Sequence, residues 1–130
     1  MLKDRNSSAI VAVSDIDRAR RFYQDILGLD LVQDGGDCDM ADVLGFRTGQ
    51  TSLTVYRSDF AGTNQANAVT WEMDGDLEDA VSLLRSKGVT FEQYDIPGMT
   101  WRDGIHEAGD TKLAWFKDPD GNILHLIEGM

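Results

Sequence analysis

The chain repeats itself, and that repeat constrains its fold more than any other feature. One copy runs from an alternating stretch at residues 8–13 through Val13-Ser14-Asp15 and Arg21-Phe22-Tyr23 to Leu27-Gly28-Leu29. The other runs from Val69-Thr70-Trp71-Glu72-Met73 through Asp74-Gly75-Asp76 and Leu77-Glu78-Asp79-Ala80-Val81 to Lys87-Gly88-Val89. Asp15 and Asp76 lie 61 residues apart in a chain of 130. A repeat of about half the chain implies two halves of one domain related by pseudo-symmetry, not a solenoid of short units.

The local pattern assigns elements to each copy. Ala9, Val11 and Val13 alternate onto one face of a strand. Asp15 is suited to cap the helix that follows, because its carboxylate can accept from free first-turn N–H groups. Ile16, Ala19, Phe22, Tyr23, Ile26 and Leu27 keep helical spacing, and Gly28 can take the left-handed conformation that ends the helix. In the second copy Val69, Trp71 and Met73 alternate, Asp76 is expected to cap, and Leu77, Ala80, Val81 and Leu84 form the apolar stripe before Gly88. Strands are expected at residues 29–33, about 43–47, 52–56, 89–94, 112–116 and 123–127. Asp118-Pro119-Asp120-Gly121-Asn122 is a turn that joins the last two strands. The order is β-α-β-β-β twice, with modules at about 8–57 and 67–128 of a single 1–130 domain. The expected class is α+β: two βαβββ modules form curved mixed sheets around a cleft, with the helices outside.

Composition narrows the partners. Twelve Lys and Arg face 23 Asp and Glu, a formal charge of −11. Nucleic acid is excluded as a partner, because phosphate neutralisation needs clustered basic residues. A membrane partner is not expected, since no apolar run reaches the length of a span. The first residues lack an apolar signal-peptide core, and Cys38 is the lone cysteine, so a cytoplasmic protein without disulfides is expected. Cys38 reads as a spectator thiol in a loop. The acidic balance either serves solubility or draws in a cationic ligand.

The joint order of Val13-Ser14-Asp15, Arg21-Phe22-Tyr23, Leu27-Gly28-Leu29 and Trp115-Phe116-Lys117-Asp118-Pro119-Asp120-Gly121-Asn122 resembles the vicinal oxygen chelate superfamily. That group includes glyoxalase I, extradiol dioxygenases, fosfomycin-resistance enzymes and bleomycin-resistance binding proteins. The resemblance covers about residues 8 to 128 and places the family's metal ligands at Ser8, at Thr54 or Tyr56, at Ala68 or Val69, and at His125. Of these His125 alone is a good ligand type, and a transition metal usually needs three protein ligands. No metal and no other cofactor is therefore expected.

The same alternation places Ser8, Ile10, Thr54, Tyr56, Ala68, Thr70, Glu72 and His125 on the faces away from the helices. Such a small, apolar wall with a few polar groups suits a small-molecule ligand that is partly apolar, aromatic or cationic. Ser8, Ile10, Thr54, Tyr56, Thr70, Trp101 and His125 are the candidate ligand-binding residues, and His125, Tyr56 and Glu72 the candidate catalytic ones. Each has a plainer alternative. Tyr56 stacks in the core, Glu72 faces solvent, or His125 is a satisfied core histidine. His106 reads as a surface-loop residue, and Trp71 and Trp115 as core. Residues 94–111 show no clean period and read as a loop, with Trp101 over a ligand, in a dimer interface or in the core. By resemblance the leading function is metal-independent binding of a small molecule by a homodimer, with sequestration of an antibiotic as its narrower form. The alternative is a lyase, isomerase or dioxygenase-type enzyme that uses His125, either without a metal or with a residual divalent metal held by His125, Glu72 and His106.

Overall fold

The computed structural model describes residues 1–34 and 42–129, so Cys38 lies outside the described residues. The chain divides into two compact units, Met1–Asn64 and Gln65–Met130.

The first unit contains β1 (Ala9–Val13), α1 (Ile16–Arg20) continued by a π-helical stretch at Arg21–Ile26, β2 (Asp30–Gln33), β3 (Val43–Thr48) and β4 (Thr51–Arg57). Its sheet has the order β1-β4-β3-β2, with β1 and β4 parallel and the other pairs antiparallel. Val11, Val13, Leu44, Phe46, Leu53 and Val55 are buried, as are Ala19, Phe22 and Tyr23 of the helix. The Asp15 cap forms as the sequence indicates, its Oδ1 accepting from Arg18 N at 3.0 Å. That bond holds the Asp15 carboxyl below its ordinary value. In the π-helical stretch the Leu27 N–H reaches back five residues to the Phe22 carbonyl at 2.9 Å. The widened turn precedes Gly28, whose φ of 75° ends the helix.

The second unit contains β5 (Asn67–Met73), α2 (Leu77–Ser86), β6 (Thr100–Arg102), β7 (Ile105–Ala108), β8 (Thr111–Lys117) and β9 (Ile123–Glu128). The sheet order is β5-β9-β8-β7-β6, and β5 and β9 are parallel. Two expectations need correction. Residues 89–94 form no strand: Phe91 makes an isolated bridge to Phe116, and Glu92 N donates to Trp115 O. The stretch expected to be a loop instead folds Trp101 and His106 into the antiparallel hairpin β6–β7. The turn at Asp103-Gly104, both at positive φ, makes that hairpin possible.

The helix caps also differ. Asp76 makes no side-chain cap and accepts instead from Asp74 N. Leu77 N is capped by Glu128 Oε1, 3.0 Å away at the end of β9. A carboxylate 51 residues distant does here what Asp15 does locally. Glu128→Ala is expected to lower stability by about 1 kcal/mol in urea unfolding, the usual loss for a missing cap. Glu128→Gln should lose less, since its amide oxygen can still accept. The turn after β8 is as expected: Asp118 is buried and accepts from Asp120 N, Asn122 N and Asn122 Nδ2 at 2.8–3.0 Å. No helix among the described residues is long and apolar enough to cross a membrane.

Candidate ligand-binding site

Strand pleating decides what each sheet shows on the side away from its helix. In the first unit that face carries Ile10, 62% exposed, with half-buried Ala12, Thr54 and Tyr56. Beside them Ser8 Oγ and Ser52 Oγ share a hydrogen bond of 2.9 Å. The polar groups here are hydroxyls.

In the second unit the pairing sets Thr70 opposite His125, and His125 opposite Trp115. The Thr70 hydroxyl meets His125 Nδ1 at 3.0 Å. The Trp115 indole stacks on the imidazole, with centroids 4.7 Å apart and planes at 16°. Trp115 Nε1 donates to Asn67 Oδ1 at 3.1 Å, which fixes the indole in its plane. His125 is 6% exposed, and its Nε2 is covered and meets no partner among the described residues. Such an unmatched polar atom costs roughly 1–3 kcal/mol.

His106 corrects the sequence reading. It is 1% exposed, not a loop residue at the surface. Its Nε2 faces both the N–H and the carbonyl of Tyr94, at 3.0 and 3.1 Å. It meets Trp115 edge-on, centroids 4.9 Å apart, and lies stacked with Tyr94 at 6.2 Å. Tyr94, His106, Trp115 and His125 therefore form one continuous ring cluster. Asn67 and Tyr94 were missed in the sequence. Trp115 was recognised as buried, but the parity of β8 puts it opposite Phe116, on the His125 side.

The remaining candidates divide clearly. Glu72 is exposed on β5, opposite Ile127. Trp71 is half-buried. Trp101 sits on the edge strand β6, opposite His106, and is 41% exposed.

Burial depresses the His125 pKa below the ordinary 6.5. The imidazole is therefore neutral at pH 7. As pH falls through the unfolded value toward the lower folded one, the unfolded chain binds more protons and stability is lost. Thermal unfolding from about pH 7.5 to about pH 5.5 should show a falling Tm, with a shallower slope in His125→Phe. An equal slope in both proteins would remove His125 as the cause.

A sequence profile of the Glyoxalase/Bleomycin resistance protein/Dioxygenase superfamily matches residues 7–126. The chain belongs to this superfamily. Solved structures agree on the fold. A superfamily member from Sphaerobacter thermophilus DSM 20745 is 23% identical with a TM-score of 0.67, covering 99% of this chain and 100% of its own. The fosfomycin resistance protein FosX from Listeria monocytogenes is 12% identical with a TM-score of 0.71, covering 98% and 94%. Lactoylglutathione lyase from Agrobacterium tumefaciens is 17% identical with a TM-score of 0.67, covering 97% and 94%. None of the curated proteins matches the chain.

Metal-dependent relatives raise the question of whether these residues fit an ion. Among the described residues, no three His, Cys, Asp or Glu side chains stand together as a metal would require. On the second unit's open face His125 Nδ1 is engaged by Thr70, and its neighbours Trp115 and Asn67 are poor ligands. The donor set does not fit a divalent transition metal.

Proposed function

We propose that this superfamily member is a metal-independent small-molecule-binding protein whose site is built on the helix-free sheet face of the second unit. The observation that carries the reading is the His125 arrangement: a neutral imidazole, held by Thr70 and stacked on Trp115, with one unmatched ring nitrogen. An aromatic floor with one directional polar atom suits a partly apolar ligand oriented by a single strong contact. Because Nε2 is covered, the ligand reaches it only when a side chain moves aside, so binding is coupled to a local rearrangement. Sequestration of an antibiotic fits this reading. So does pairing of two copies, which light scattering at micromolar concentration tests: a monomer mass would refute it.

A second reading rests on the same neutral histidine. An imidazole that is unprotonated at pH 7 can act as a general base in a lyase or isomerase reaction. One experiment separates the two. The protein is titrated calorimetrically with aromatic and cationic antibiotics, and each ligand is then recovered for mass spectrometry. Saturable binding with unaltered ligand supports sequestration. Alteration that requires His125 supports catalysis. Absence of saturable binding across the panel counts against both.

A further inference from the structure

Trp101 walls two separate open recesses of the second unit, each of about 370 Å3. The first is lined by Gln93, Tyr94, Asp95, Ile96, Met99 and Trp101, with no Lys, Arg or His among its lining residues. The second contains Arg85, whose Nη2 donates to the Asp103 carbonyl and whose guanidinium lies 6.0 Å from the Phe91 ring centroid. The first recess thus carries a carboxylate, Asp95, and no basic lining residue, while the second carries both the Arg85 guanidinium and the Asp103 carboxylate.

We propose that the Asp95 recess is a binding site for a planar aromatic cation, held by Tyr94 and Trp101 and neutralised by Asp95. Three observations support it. Tyr94 and Trp101 supply two aromatic surfaces, and a cation near such a ring is attracted by its quadrupole. Asp95 adds a negative charge that no basic lining residue offsets, whereas in the second recess Arg85 offsets Asp103, so the charge pattern favours the first. The walls are also prearranged. Ile96-Pro97-Gly98-Met99 is a turn closed by Met99 N to Ile96 O at 3.2 Å, with Gly98 at φ 82°. Only glycine takes that conformation without strain, and it sets Ile96 and Met99 on one rim. Tyr94 is anchored through its N–H to His106 Nε2 and by edge contact with Trp115 at 5.3 Å. The Trp101 backbone is set by its pairing with His106 across β6 and β7. The Tyr94 side of the recess therefore adds little ordering cost for the ligand to meet.

This recess does not use His125, so the proposal and the preceding function can fail separately. The test is a titration of the 15N-labelled full chain with N-methylquinolinium and with its neutral counterpart quinoline at neutral pH. The indole N–H signals of Trp71, Trp101 and Trp115 report where each compound sits. The expected result is a saturable shift of the Trp101 signal, with the cation binding about fivefold more tightly than quinoline. Asp95→Asn should bring the two affinities together. Asp95 and Trp101 are both exposed, so their variants should keep the dispersed spectrum of the folded chain. No saturable Trp101 shift, equal affinity for the two compounds, or an undiminished preference in Asp95→Asn would overturn the proposal. A shift confined to the Trp115 signal would overturn it too, by placing the compound beside His125 instead.

Discussion

Trp115→Ala is expected to cost about 3–5 kcal/mol in denaturant unfolding, the range for deleting a buried aromatic side chain. The indole is the centre of the ring cluster, within 5.3 Å of Tyr94, 4.9 Å of His106 and 4.7 Å of His125. Its removal leaves a cavity, frees Asn67 Oδ1 and takes the floor from under the imidazole at once. Trp115→Phe should cost less, because part of the stacking survives while the bond to Asn67 is lost. Equal losses in the two variants would show that the Asn67 bond, and not the packing, dominates.

His125→Phe carries the largest expected effect on binding. Phenylalanine can still stack on Trp115, so stability should fall by only about 1–2 kcal/mol, chiefly through overpacking and the deserted Thr70 hydroxyl. Ligand affinity should fall at least about tenfold, since a buried hydrogen bond to the ligand is lost outright. Calorimetric titration of a ligand identified in the antibiotic panel measures it. Affinity that survives the substitution would place the ligand away from His125. Affinity lost together with the fold would be visible as a collapsed unfolding transition.

The first unit was legible in the sequence almost throughout, because its signals are local. Asp15 caps its own helix, and Val11 and Val13 alternate beneath residues spaced for one helical face. The second unit was less legible because its decisive contacts are distant. Glu128 caps α2 from the far end of the chain, a partnership that no local motif encodes. Phe91 has strand-like neighbours, yet only an isolated bridge forms there. The β6–β7 hairpin escaped because β6 is three residues long and fully exposed, too short for alternation to appear. Once that hairpin is missed, His106 is assigned to a loop although it is among the most buried side chains.

The candidate site was legible to a similar degree. His125 stood out as the one good ligand type at a family position, and Thr70 followed from strand parity. The ring cluster did not, because Tyr94, His106 and Trp115 meet through tertiary packing across segments that each looked ordinary. The expectation of no metal rested on the hydroxyl and aliphatic residues at the positions where the family places its ligands. The structure adds that Nδ1 of the remaining histidine is already engaged by Thr70.

Metal independence is the central claim, and metal content measured alongside ligand binding tests it most directly. Protein purified without chelator is examined by inductively coupled plasma mass spectrometry, then titrated with ligand before and after exhaustive dialysis against EDTA. The account predicts no stoichiometric Zn, Ni, Mn or Fe and the same affinity in both titrations. A metal bound at one ion per chain, with affinity lost on its removal and restored on its return, would contradict it.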